Sequence, residues 1–148
     1  MLLFIVSRKR QNAEAVGQRK EEIMITYIKQ CEASEEIQKW WFPDICDLYY
    51  DKSEKKTKPI TFLAEKIWLT ERTRGCNFIW LPTQEQLQEM VDRDWYKVFC
   101  KFLLWHWNSE PNAKEFASMF NSMNEVWLAF VMKEKYNKIW TGEKWETA

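Results

Sequence analysis

The residues able to do chemistry in this 148-residue chain are few and scattered. Its one histidine, His106, lies in Trp105-His106-Trp107. A lone histidine inside an apolar helix is usually a satisfied core or interface residue rather than a base. No serine or cysteine has a base close by, so no nucleophile triad can be assembled. The cysteines are Cys31, Cys46, Cys76 and Cys100, with no C-x-x-C pair among them. His106 follows Cys100 by six residues, a spacing that fits no zinc pattern. The thiols therefore read as reduced and mostly buried.

Carboxylates offer a second chemistry. Asp44, Asp47 and Asp51 lie close in sequence, and Asp92 and Asp94 form another pair. Metal-dependent nucleases converge such groups, but caps and turns use the same residues, and spacing alone favours the latter. Phosphate loops need clustered glycines. The three glycines here, Gly17, Gly75 and Gly142, are far apart. No cofactor is expected.

Binding chemistry is better represented. Lys52, Lys55, Lys56 and Lys58 surround a polar turn beside Tyr49 and Tyr50, and Arg72 and Arg74 lie on the next loop. Basic groups position phosphates and exposed aromatics stack on bases. Asp51 and Glu54 dilute that charge, so a solvated hairpin tip is the preferred reading. Ten tryptophans are more than one small domain buries fully. Exposed tryptophan beside a cation is a common interface anchor. Trp40, Trp41, Trp107 and Trp145 fall at predicted element ends and are the candidates.

The balance of 22 basic against 22 acidic residues gives no global attraction to nucleic acid or anionic lipid. No apolar run is long enough to span a bilayer. The opening Met1–Val6 precedes Arg8-Lys9-Arg10, the reverse of a secretory signal, so a cytoplasmic location is expected.

The elements that must position these groups are predicted as follows. Residues 1–23 lack tryptophan and are polar from Gln11 to Glu22, reading as a weakly ordered or non-native extension with Met24 as the natural start. The alternative is a short strand over Leu2–Val6 followed by a polar helix. A helix is expected from Met24 toward Trp40 and Trp41, stopped by Pro43. Strands are expected at Ile45–Tyr50 and Ile60–Leu63, with further strands at Ile67–Leu69 and Phe78–Trp80. Thr83 and Gln86 form a capping box for a helix carrying Leu87, Met90, Val91, Trp95, Val98, Phe99 and Phe102 on one broad face, open to interruption at Asp92-Arg93-Asp94. Ser122 and Glu125 form a second box. Val126 to Met132 are all apolar, which predicts a buried central helix. Thr141–Lys144, between Trp140 and Trp145, reads as a tight turn with Gly142 at positive φ. The fold class is α+β in one domain over 24–148: a short antiparallel sheet of three to four strands packed on three to four helices.

Three stretches together carry a resemblance. Glu35–Gln38 leads to Asp47-Leu48-Tyr49-Tyr50, Ile79-Trp80-Leu81-Pro82-Thr83-Gln84-Glu85-Gln86-Leu87-Gln88-Glu89-Met90 follows, and Ser122–Tyr136 closes with Trp140-Thr141-Gly142-Glu143-Lys144-Trp145. These resemble an uncharacterised family of small phage and prophage proteins of Gram-positive bacteria, over roughly Met24 to the C-terminus. The resemblance implies a phage or prophage origin and the host bacterial cytoplasm. It carries over no catalytic residues. The leading expectation is a non-enzymatic module that binds and modulates a host or phage protein, using Trp40, Trp41, Tyr49, Tyr50, Lys55, Lys56, Arg72 and Arg74. Nucleic-acid binding through the basic hairpin is the alternative, and an enzyme with a carboxylate metal site ranks last. The protein partner and the oligomeric state stay open.

Overall fold

The computed structural model describes residues 2–72, 77–108 and 118–148, with the backbone alone for 2–12. Arg74, Gly75 and Cys76 lie outside the described residues. The fold is α+β. Helices α1 (Leu2–Ala33) and α2 (Glu35–Gln38) precede strands β1 (Leu48–Asp51) and β2 (Lys56–Pro59). Helix α3 (Leu63–Arg72), strand β3 (Phe78–Trp80) and helices α4 (Gln84–Val91) and α5 (Trp95–Asn108) follow. Helix α6 (Met123–Tyr136) and the hairpin strands β4 (Lys138–Trp140) and β5 (Trp145–Thr147) complete the described elements. No described helix is long and apolar enough to cross a membrane.

Helix α6 forms the centre. Its residues from Trp127 to Met132 are all buried. Ser122 Oγ accepts from the Glu125 N–H at 3.3 Å, while the Glu125 carboxylate reaches back to the Asn121 N–H at 3.1 Å, one residue before the expected partner. Burial pushes the Glu125 carboxyl above its usual range. Phe130 packs edge-on against Phe102 at 5.4 Å, and Trp127 stacks on Phe102 at 4.2 Å, which docks α5. The helix ends at Asn137 in the left-handed region (φ 51), a conformation asparagine tolerates. Gly142 takes φ 100 in the β4–β5 turn, as its position predicts. Trp145 is buried there, with Nε1 donating to the Gln30 carbonyl at 3.0 Å.

The three-stranded sheet runs β2-β1-β3, antiparallel throughout. Alternation along β1 splits its residues between two packing layers. Tyr50 and Ile79 belong to the main core with α6. Tyr49 joins Ile60 and Leu69 in a second cluster, against which Phe78 and Trp41 pack. The outer edge of β3 is covered by a side chain. Gln38 Oε1 accepts from the Trp80 N–H at 2.8 Å, and its Nε2 donates to the Trp80 carbonyl at 3.0 Å. An otherwise bare strand edge is thereby satisfied.

Several elements differ from expectation. Ile67–Leu69 is helical within α3. Glu65 sets this: its Oε2 accepts from the Thr61 N–H at 3.0 Å and its Oε1 from the Tyr49 hydroxyl at 2.9 Å, anchoring the first turn. The return strand is Lys56–Pro59, four residues earlier than the predicted Ile60–Leu63. As an edge strand it carries Lys56, exposed, and Lys58, half-buried, and ends on a proline, both signatures of a protected edge. Helix α1 covers Leu2–Val6, so no strand forms there. Residues 13–22 are exposed on all sides, and the first buried residue after them is Tyr27. Asp92-Arg93-Asp94 does break the long helix, because Asp94 Oδ1 caps α5 by accepting from the Tyr96 N–H at 3.0 Å. Six helices, rather than three or four, are present among the described residues. Of the described thiols, Cys31 is buried, Cys100 half-buried and Cys46 exposed, so mostly buried was not the outcome.

Candidate functional site: an aromatic ridge between two grooves

The segment after α2 is where exposed aromatics and open grooves coincide. Two tight turns follow the helix, with the Trp40 N–H bonded to the Ile37 carbonyl at 3.0 Å and that of Trp41 to Gln38 at 3.2 Å. Pro43, which is buried, prevents further helix. The chain leaves the helix through Trp40-Trp41-Phe42, an aromatic ridge outside regular secondary structure.

The three rings have different fates. Trp41 turns inward: it stacks on Trp80 at 6.4 Å with planes 2° apart, and its Nε1 donates to Asp47 Oδ2 at 3.0 Å. Trp40 stays 56% exposed, steered by a bond from its Nε1 to the Tyr136 hydroxyl at 2.9 Å. Lys135 Nζ sits 4.3 Å from the Trp40 ring centroid, a cation–π contact, and also donates to the Met90 carbonyl. Phe42 is 74% exposed.

Phe42 stands between two grooves. The first encloses about 610 Å³ beside Trp40, Trp80, Met90, Glu89 and Arg93. The second encloses about 860 Å³ beside Trp41, Phe78, Lys39, Lys52 and Glu35. Each combines aromatic walls with charges of both signs.

Asp47 locks this ridge to the body. Besides Trp41, its Oδ2 accepts from the Asp44 N–H at 2.9 Å, and its Oδ1 accepts from Gln86 Nε2. Gln86 in turn accepts from the Thr83 N–H at 2.9 Å, completing the predicted capping box of α4. One carboxylate thus couples the ridge to a helix start 39 residues away in sequence.

The remaining carboxylates of the metal reading are similarly engaged. Asp44 Oδ1 pairs with Lys66 Nζ at 2.8 Å. The Lys66 bond, with that from the Ile45 N–H, holds the Asp44 carboxyl below its usual range. Asp51 Oδ1 accepts from the Ser53 N–H at 2.9 Å and the Ser53 hydroxyl at 2.6 Å, shaping the hairpin tip. The Ser53 hydroxyl is the main cause of the lowered Asp51 carboxyl. Among the described residues no group of three metal-ligating side chains converges.

The hairpin surface is only partly as expected. Tyr49 is 3% exposed and bonded to Glu65, so it cannot stack on a base or meet a partner. It packs with Ile60 and Leu69, and its register partners Lys58 and Trp80 lie on the same face of the sheet. Burial, then the bond to Glu65, raises its hydroxyl well above the ordinary range. Tyr50 is half-buried against the main core. Lys52 pairs with Glu32, and Lys58 pairs with Glu54 and Asp51. Lys55 and Lys56 remain as exposed cations at the tip, with Lys55 at φ 54. The Arg72 guanidinium, in the last turn of α3, lies 4.9 Å from the Trp68 ring centroid. Trp41 and Trp145, expected as exposed anchors, are tied inward by their indole N–H bonds, whereas Trp40 and Trp107 are exposed.

Sequence reasoning missed Phe42 and Arg93. Pro43 directly after Trp40-Trp41-Phe42 was the available signal, since a proline disfavours helix at the residue before it, Phe42. Comparison of the chain with protein-family models, curated proteins and solved structures found no match.

Proposed function

We propose that this chain is a non-enzymatic protein-binding module that engages a host or phage protein through the ridge Trp40–Asp44. Phe42 carries this reading: a phenylalanine 74% exposed between two grooves is the geometry of a hot-spot anchor. Trp40 and Arg93 beside it are the residue types enriched at such centres. The resemblance in the three sequence stretches supports a phage or prophage accessory role in the bacterial cytoplasm. Neutralisation of Lys52 and Lys58 by neighbouring carboxylates weighs against nucleic acid as the main partner.

Affinity capture from a bacterial host lysate, with and without nuclease, tests this. The expected result is a discrete protein retained after nuclease and lost by about 100-fold in Phe42→Ala or Arg93→Ala. Lys55→Ala with Lys56→Ala should leave capture unchanged. Capture that disappears with nuclease, or that depends on Lys55 and Lys56, overturns the reading in favour of nucleic acid.

A further inference from the structure

Helix α5 contradicts the rule that a helix apolar on nearly all sides is buried. Its inner side packs on α6 through Val98, Phe102 and Trp105. Its outer side carries Trp95, Tyr96, Phe99, Leu103, Leu104 and Trp107, between 46% and 87% exposed. At 100° per residue these six span about half the helix circumference. The exposed polar residues of α5 are Lys97, Lys101 and Asn108, and both lysines are paired, with Asp94 at 3.6 Å and Glu134 at 3.2 Å.

We propose that this face is covered by α5 of a second copy of the chain, packed antiparallel. Three observations select that occupant. At 150–250 Å² for each aromatic ring, the exposed fractions leave on the order of 700 Å² of apolar surface per copy, near the roughly 800 Å² per partner of a stable interface. The face is self-complementary, as a two-fold interface requires. Trp95 and Trp107 are equidistant from Lys101, as are Phe99 and Leu103, while Tyr96 and Leu104 are equidistant from Cys100. A dyad beside these residues sets Phe99 opposite Leu103 of the partner subunit and brings the two ends of the face, at Trp95 and Trp107, to the same level. Finally, a lipid surface is disfavoured, because interfacial helices are rich in Lys and Arg on their polar side, whereas α5 carries two lysines, each beside a carboxylate. The dyad also brings the two copies of Cys100 side by side. Two-electron oxidation by an added oxidant would join them as a disulfide, releasing two protons.

Sedimentation equilibrium of the full chain tests the proposal. The wild type should sediment as a dimer. Leu103→Lys with Leu104→Lys should raise the dissociation constant at least about 100-fold while leaving the circular dichroism unchanged. These residues are exposed, so the variant is expected to fold. In a chain with Cys46→Ser and Cys76→Ser, mild oxidant should give a covalent dimer that Cys100→Ser abolishes. A monomeric wild type, or a dimer indifferent to the two lysines, overturns the interface. Vesicle co-sedimentation of a monomeric wild type overturns it in favour of lipid. A dimer that does not cross-link through Cys100 overturns the antiparallel register. The ridge at Trp40–Asp44 takes no part in this interface, so failure here leaves the capture experiment undisturbed.

Discussion

Asp47→Ala is expected to destabilise the fold by about 3 kcal/mol and to loosen the ridge in the same step. The side chain accepts from the Trp41 indole, the Asp44 N–H and the Gln86 amide, and it is buried. Hydrogen bonds to a charged group contribute about 1.5–3 kcal/mol each, and donors left unpaired in the interior cost about 1–3 kcal/mol. These contributions overlap because the three donors share one acceptor, so the total falls well short of their sum. Chemical denaturation should show a lowered midpoint with an unchanged slope. Trp41 should also gain mobility, visible as a change in tryptophan emission of the folded protein. A variant with wild-type stability would show that the carboxylate is dispensable to the ridge.

The second large effect belongs to the core. Phe130→Ala should cost about 3–5 kcal/mol, the range for emptying a buried phenylalanine site. Phe130 is fully buried and touches the rings of Phe102, Trp105 and Trp127 at centroid distances of 5.4, 5.3 and 5.6 Å. These rings come from two helices, so the cavity cannot close by moving one side chain. Against a total stability of about 5–15 kcal/mol, that loss should lower the thermal midpoint by about 10–20 °C. Ile67→Ala, at an exposed position of α3, should shift stability by no more than about 0.5 kcal/mol. Equal effects at both sites would contradict a core centred on α6.

The parts of this fold legible in the sequence are those governed by local chemistry. Thr83 with Gln86, Ser122 before an all-apolar run, and Gly142 in a four-residue turn each act within one turn of chain. Their structures follow from hydrogen bonds made nearby. Helix α3 was misread because Ile67-Trp68-Leu69 suits a strand by composition. Its helicity depends on Glu65 bonding Thr61 and, across the sheet, Tyr49. Strand β2 was misplaced because an edge strand of lysines has no apolar alternation to detect. The candidate site was hidden by the same limit. Trp40, Trp41 and Phe42 are consecutive aromatics, and only the position of Asp47 and the turn at Pro43 decide which ring goes inward. On α5 the apolar positions nearly encircle the helix, so periodicity could not separate the side facing α6 from the side facing solvent.

The central claim is that the Trp40–Asp44 ridge is the surface a protein partner covers. Amide hydrogen exchange of the chain, alone and in complex with the captured protein, tests it most directly. Slowed exchange is predicted across residues 39–46 and at 89–93, the two sides of the first groove, with the hairpin tip at 52–56 unaffected. Protection confined to that tip, with the ridge exchanging as in the free chain, would contradict it.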